Sequence, residues 1–262
     1  MVINGSGNGM LLKARGLTKV FGGLAALKDV SFDIREGMIK AIIGPNGAGK
    51  TTLYDLLTGI YMPDDGRVLF HDREIIGLTT HEIAALGIAR TFQTIRLFTG
   101  MTVIENIMVG LHHRTKAGML KSSLRFPAAR REEAWMAGEA MRYLDVVGLE
   151  MQAENLAGSL PFGQQRLLEV ARALATDPKI LLLDEPASGL NTYETRELGE
   201  IIYAIRDMGI TVVLVEHDMG LVMRISDEVL VLDYGEIIAE GSPESVRNDP
   251  KVIEAYLGSQ LD

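Results

Sequence analysis

Ile39-Lys40-Ala41-Ile42-Ile43, followed by Gly44-Pro45-Asn46-Gly47-Ala48-Gly49-Lys50-Thr51, is the stretch that decides how this chain folds. The octapeptide fills every fixed position of the phosphate-loop pattern G-x-x-x-x-G-K-[ST]. The run before it is long enough for one buried strand. Behind it Leu53, Leu56 and Leu57 recur on one helical face, and Gly59 supplies a stop. Gly44, Gly47 and Gly49 let the backbone curl so that its N–H groups point inward at anionic oxygens. The helix opening at Lys50 adds the positive end of its dipole. Lys50 supplies a point charge for terminal phosphates and the Thr51 hydroxyl a ligand for Mg²⁺, with Thr52 beside it.

Composition narrows the class. The 262 residues suffice for one large domain or two small ones, and 47% are hydrophobic while only 6% are aromatic, so the core is aliphatic. Short Ile/Leu/Val runs predict strands buried on both faces of a parallel sheet. The net charge of −9 disfavours a surface that grips nucleic acid. With no cysteine, disulfides, thiol catalysis and thiolate metal sites are excluded. No apolar run reaches the roughly 18–20 residues that cross a bilayer. Met1 to Gly9 is Gly/Asn/Ser-rich and is expected to be a floppy tail rather than a signal peptide.

Along the chain, Leu12–Val20 and Ala25–Ile34 read as antiparallel strands around Gly22-Gly23, and Arg67–Phe70 as a strand after the turn Asp64-Asp65-Gly66. From Thr80 to Val147 the pattern is helical and irregular, with Pro127 as its breaker. Ile180–Leu183 and Ile210–Val215 read as buried strands. Between them runs a helix with Leu198, Ile201, Ile202 and Ile205 on one face, stopped at Gly209. Val229–Leu232 and Glu236–Ala239 read as a hairpin, and Val252, Ile253, Tyr256 and Leu257 mark a terminal amphipathic segment. The alternation predicts an α/β sheet interrupted by a helical insertion.

Asp184 and Glu185 follow the apolar run Ile180–Leu183. A carboxylate at the end of a buried strand beside a phosphate loop suits Mg²⁺, and its neighbour, projecting differently, suits a general base for the attacking water. Leu160-Pro161-Phe162-Gly163-Gln164 opens a helix with Leu167, Val170, Ala171 and Leu174 on one face, a terminus able to receive an anion. Between His112 and Arg131 lie six Lys/Arg and no acidic residue, read either as a solvated helical face or as a contact for a transporter loop or anionic lipid.

These elements together resemble the ABC-type ATPases over roughly residues 10–242. Leu160 to Leu174 resembles their signature motif. Gln93 resembles the Q-loop glutamine, Ser188-Gly189-Leu190-Asn191 the D-loop, His217 the switch histidine, and Phe21 the aromatic ring placed against adenine. Pro161, Phe162 and Asn191 depart from the family's usual serine, glycine and aspartate. The segments Arg90–Gln93, Arg96–Phe98, Met101–Asn106, Glu216–Met219 and Ala255–Gly258 are similar to the longer ATPase of branched-chain amino-acid importers. Urea, amide and lipopolysaccharide transporters share part of the pattern. The resemblance implies a phosphate-loop NTPase fold of the ABC type: a RecA-like parallel sheet, an antiparallel β subdomain and an inserted helical subdomain. The expected division is a core of 10–93 and 168–242, a helical subdomain of 94–167 and a C-terminal extension of 243–262. It implies ATP as substrate with Mg²⁺ held by Thr51, Gln93 and Asp184, Glu185 as base, and His217 on the γ-phosphate. It also implies a head-to-tail homo- or heterodimer of ATPases, two membrane permease subunits, a solute-binding protein acting indirectly, and a place on the inner face of the cell membrane.

Overall fold

The structure, a computed structural model, describes residues 9–112 and 127–258. Two sheets carry it. In the first, β1 (Met10–Phe21) and β2 (Leu24–Arg35) form an antiparallel hairpin about Gly22-Gly23, and β4 (Asp65–Phe70) and β5 (Arg73–Glu74) extend it in the order β2-β1-β4-β5. The second contains β3 (Ile39–Ile43), β6 (Ile88–Arg90), β7 (Ile180–Asp184), β8 (Thr211–Val215), β9 (Glu228–Asp233) and β10 (Glu236–Gly241). Its order is β10-β9-β3-β8-β7-β6, parallel except for β10.

The central strands of the parallel sheet are buried on both faces, as their mostly aliphatic runs require. Ile39, Ala41 and Ile43 of β3 point into one core with Leu181, Leu183, Val212 and Leu214. Ile42 points into the other with Ile180, Leu182, Val213 and Val215. The first core lies against most of the helices, the second against the antiparallel sheet and the helix that follows the phosphate loop. Each fully buried Ile or Leu contributes roughly 1.5–3 kcal/mol, so the strand ends are held on a stiff platform.

The helices are α1 (Lys50–Leu57), α2 (Thr80–Ala85), α3 (Val103–Leu111), α4 (Pro127–Val146), α5 (Phe162–Leu174), α6 (Thr192–Asp207), α7 (Met219–Ile225), α8 (Pro243–Arg247) and α9 (Pro250–Gly258). Among the described residues three helices start in reciprocal capping boxes: Thr79 with Glu82, Thr102 with Glu105, and Asn191 with Glu194. The segment Met101–Asn106 is therefore a helix start as well as a point of resemblance.

Several expectations are corrected. The run Ile39–Ile43 is not wholly apolar inside: Lys40 is fully buried within it. Asp65 and Gly66 belong to β4 rather than to the preceding turn. Thr80–Val147 is not only helical, because Ile88–Arg90 forms β6, too short to show a period. Pro127 opens α4 instead of breaking a helix, as a residue without a needed N–H does well at a first turn. In α9 Val252 is buried while Ile253 is 46% exposed. The expected boundary at 167–168 falls inside α5. The tail before Gly9 and residues 113–126 of the basic stretch His112–Arg131 lie outside the described residues. Among the described residues no helix is long and apolar enough to cross a membrane.

Candidate functional site

The phosphate loop leaves the C-terminal end of β3 and enters α1. Gly44 has φ +151°, and a Cβ there would lie 2.0 Å from the Leu232 carbonyl oxygen. Gly49 has φ +104° and caps α1, and a Cβ there would lie 2.5 Å from the Ala26 carbonyl oxygen on the β1–β2 hairpin. Only glycine permits that close passage in that conformation. Asn46 and Gly47 are exposed at the loop's crest. Lys50 folds back over the loop, its Nζ donating to the carbonyls of Gly44 at 2.6 Å and Pro45 at 2.9 Å. Burial lowers its pKa below the usual lysine value, while the charges of Glu185 and Asp184 push the other way. Ala48 is buried, Pro45 and Thr52 half-buried, and Thr51 exposed on the first turn of α1.

The end of β7 brings the carboxylates. Asp184 is 4% exposed. Its Oδ2 accepts from Arg90 Nη2 at 2.7 Å, and its backbone N–H donates to Thr91 Oγ1. Glu185 has φ +48°, uncommon for a residue with a side chain. Gln93 Nε2 donates to Glu185 Oε2 at 2.8 Å, and His217 Nδ1 lies 3.9 Å from the same oxygen. Thr51, Gln93 and Asp184 offer a hydroxyl, an amide and a carboxylate oxygen. No group of three or more His, Cys, Asp or Glu able to hold a metal occurs among the described residues. That all-oxygen donor set with a single carboxylate fits Mg²⁺, a hard cation that takes one or two carboxylates and otherwise water and phosphate oxygens.

The end of β8 brings His217, whose side chain is 66% exposed at the mouth. Behind it Glu216 is fully buried. Its Oε1 accepts from the Ala187 N–H at 2.7 Å, and its Oε2 from the N–H groups of His217 at 3.0 Å and Asp218 at 3.2 Å. Burial raises its pKa, and those three donors counter the rise. Glu216 thus pins the loop after β7 to the loop after β8.

The remaining expected residues have contacts of their own. Leu160 is buried and Pro161 is the N-cap of α5, where its missing N–H costs nothing. Gly163 is buried, Gln164 half-buried and Phe162 50% exposed. Phe162 rests on Gly189, where a Cβ would meet its ring at 2.8 Å, and Gly163 faces Glu194 and Leu190. The departures at Phe162 and Asn191 therefore have local partners: the ring covers Gly189, and the Asn191 Oδ1 accepts from the N–H groups of Tyr193 and Glu194 to cap α6. Ser188 and Leu190 donate their N–H groups to the Glu185 and Ala187 carbonyls. Phe21 is 41% exposed beside the β1–β2 turn, edge-on to Tyr61 at 5.2 Å between centroids.

Sequence reasoning missed the residues that hold these groups in place. Arg166 on α5 donates to the carbonyls of Phe92 at 3.0 Å and Gln93 at 2.9 Å, and Glu169 accepts from the Arg96 N–H. Asn106 clasps Phe98 by both its N–H and its carbonyl. Tyr54, fully buried on α1, donates its hydroxyl between the Leu183 and Val213 carbonyls. The available signal was charged or polar residues at positions where an amphipathic helix turns inward.

The model of the ABC transporter family matches residues 27–188, and that of the branched-chain amino acid ATP-binding cassette transporter matches residues 236–262. The high-affinity branched-chain amino acid transport ATP-binding protein LivG of Salmonella typhimurium is 47% identical over 249 residues, covering 95% of this chain and 98% of that protein. The ADP conformation of MJ1267, an ATP-binding cassette of an ABC transporter, superposes with TM-score 0.84 at 34% identity, over 95% of this chain and 99% of that one. The dimeric post-hydrolysis state of the cassette MJ0796, bound to ADP and Pi, superposes with TM-score 0.75 at 26% identity, over 88% and 98% of the two chains.

Proposed function

Because the chain belongs to the ABC transporter family of ATP-binding cassettes, we propose that it is the ATP-hydrolysing subunit of an importer for branched-chain amino acids. One observation carries the reading: the parallel sheet delivers Lys50, the pair Asp184 and Glu185, and His217 to the same edge, at the C-terminal ends of β3, β7 and β8. That edge is where open α/β sheets bind ligands. The likeness to LivG over nearly the whole chain, and the branched-chain family match at the C-terminus, support the substrate class.

Gly44 to Thr51 cradle the phosphates with backbone N–H groups, and Lys50 exchanges its loop carbonyls for phosphate oxygens. Thr51, Asp184 and the Gln93 amide oxygen would hold Mg²⁺, which would supply charge neutralisation to the phosphates. Glu185 takes the proton of the attacking water, and Gln93 and His217 orient that carboxylate and the terminal phosphate. Phe21 supports the adenine. A second cassette, identical or a sister chain, presents its copies of Leu160 to Gln164 to the phosphates, so that the unpaired N–H groups opening α5 close the site from the far side. The segment Ser188 to Asn191 carries contact between the two sites. Hydrolysis weakens that shared clamp, and the resulting opening is the mechanical output.

The permease seat in this reading is the cavity of about 490 Å³ beside β6, α2, α3 and α5, walled by Ile83, Phe92, Phe98, Val109 and Arg172 among others. The chain then works on the inner face of the membrane through two permease subunits, served by a solute-binding protein. The test is uptake of labelled leucine by cells lacking this chain. Wild type restores uptake and Lys50→Ala does not. Restoration of urea or amide uptake instead would overturn the substrate class while leaving the ATPase reading intact.

A further inference from the structure

Arg90 lies outside every motif expected to touch nucleotide, yet it is bonded directly to Asp184. The side chain is 6% exposed on β6. Its Nη1 donates to Asp55 Oδ1 on α1 at 2.6 Å, and its Nη2 to Asp184 Oδ2 on β7 at 2.7 Å. The guanidinium is packed between aromatic rings, 5.3 Å from the Tyr54 centroid and 5.2 Å from that of Phe92. The fork therefore ties the helix that follows the phosphate loop to the strand that ends in the acidic pair. It occupies one oxygen of Asp184 and leaves the other.

We propose that Arg90 is a positioning residue for the divalent cation: by holding Asp184 Oδ2, it aims Oδ1 at the metal and fixes its distance from the Thr51 hydroxyl. This rests on the reading of Asp184 as a Mg²⁺ ligand. The physical basis is that a free carboxylate spends its rotational freedom on binding, whereas one held by a planar two-pronged donor does not. Lysine cannot replace the fork, because a single ammonium does not span Asp55 and Asp184 in that geometry. The same side chain walls the 490 Å³ cavity, so the metal carboxylate and the proposed permease seat share one residue.

The test is the Mg²⁺ dependence of binding a fluorescent ATP analogue to the purified full-length chain, with affinity in excess EDTA and melting temperature measured alongside. Arg90→Gln should raise the half-saturating Mg²⁺ concentration about tenfold, with metal-free affinity changed less than about twofold. Asp55→Asn and Arg90→Lys, which spare one of the two anchors, should shift it the same way by about threefold. These two keep the question decidable if Arg90→Gln does not fold. Mg²⁺ half-saturation equal to wild type in the folded variants, with only the melting temperature lowered, would make Arg90 a structural strut and overturn the proposal. Wild type showing no Mg²⁺ dependence would remove the metal reading of Asp184 itself, and the proposal with it.

Discussion

Two lysines lie at opposite ends of β3, and their surroundings differ in a way that separates folding from function. Lys40, at the start of the strand, is fully buried. Its ammonium donates to the Asp33 carbonyl at 2.8 Å, to Glu228 at 3.0 Å and to Glu240, with the Phe32 ring 5.6 Å away. Lys50, past the other end, donates to two carbonyls of its own loop, while Asp184 and Glu185 act on it only through their field. Both are lysines in the same layer of the molecule. The first has carboxylates from β9 and β10 to answer its charge. The second is hydrogen-bonded to neutral oxygens of its own loop, an arrangement that in the proposed function an incoming phosphate would displace. A cation that a fold leaves half-answered is a cation kept for a ligand.

The strongest way to break this contrast acts on the open end alone. Glu185→Gln should lower ATP turnover by about 10²–10⁴-fold while ATP affinity stays within about twofold, read from phosphate release and nucleotide titration. Retained turnover would place the base elsewhere.

Next come the lysines themselves. Lys50→Ala should weaken ATP binding about 10–100-fold, the loss of one or two charge-assisted hydrogen bonds, with little change in melting temperature. Lys40→Met should do the reverse. It strands Glu228 and Glu240 and should cost about 2–3 kcal/mol, at the lower edge of a broken buried pair because both carboxylates reach solvent, with ATP affinity unchanged. If both substitutions acted on binding, or both on stability, the division between the two ends would fail.

A smaller test concerns groups kept neutral around the site. Burial raises the Tyr256 phenol to about 12, against which the Gly44 backbone acts through a hydrogen bond, and it raises Tyr54 well above the usual tyrosine value. The folded phenol keeps its proton at a pH where the unfolded one has lost it, so stability is full below pH 10 and falls as pH rises from 10 toward 12. Tyr256→Phe should flatten that fall in denaturant midpoints measured across the window. An unchanged slope would mean that the C-terminal helix does not hold its phenol protonated beside the phosphate loop.

Much of the candidate site was legible because the chemistry is local in sequence. Gly44 to Thr51 must be contiguous to form one loop, and Asp184 and Glu185 must adjoin to sit at one strand end. What stayed hidden acts across the chain. Arg166 reaches Gln93, Glu216 reaches Ala187, and Arg90 reaches Asp55 and Asp184, all through pairings that no spacing rule encodes. Strand β6 escaped for a different reason: three residues carry no measurable period. Pro161, Phe162 and Asn191 looked like defects against a family pattern, whereas the packing of Phe162 on Gly189 and the cap at Asn191 give two of them local work.

By itself the order of residues determined the strand–loop–helix unit and the type of sheet, since glycines at fixed spacing and unbroken aliphatic runs leave few backbone solutions. Only the tertiary structure decided which charges are answered and which are left open. A hydrogen bond or ion pair depends on separation in space, and β3, β8 and β7 become neighbours only once the sheet is assembled in that order.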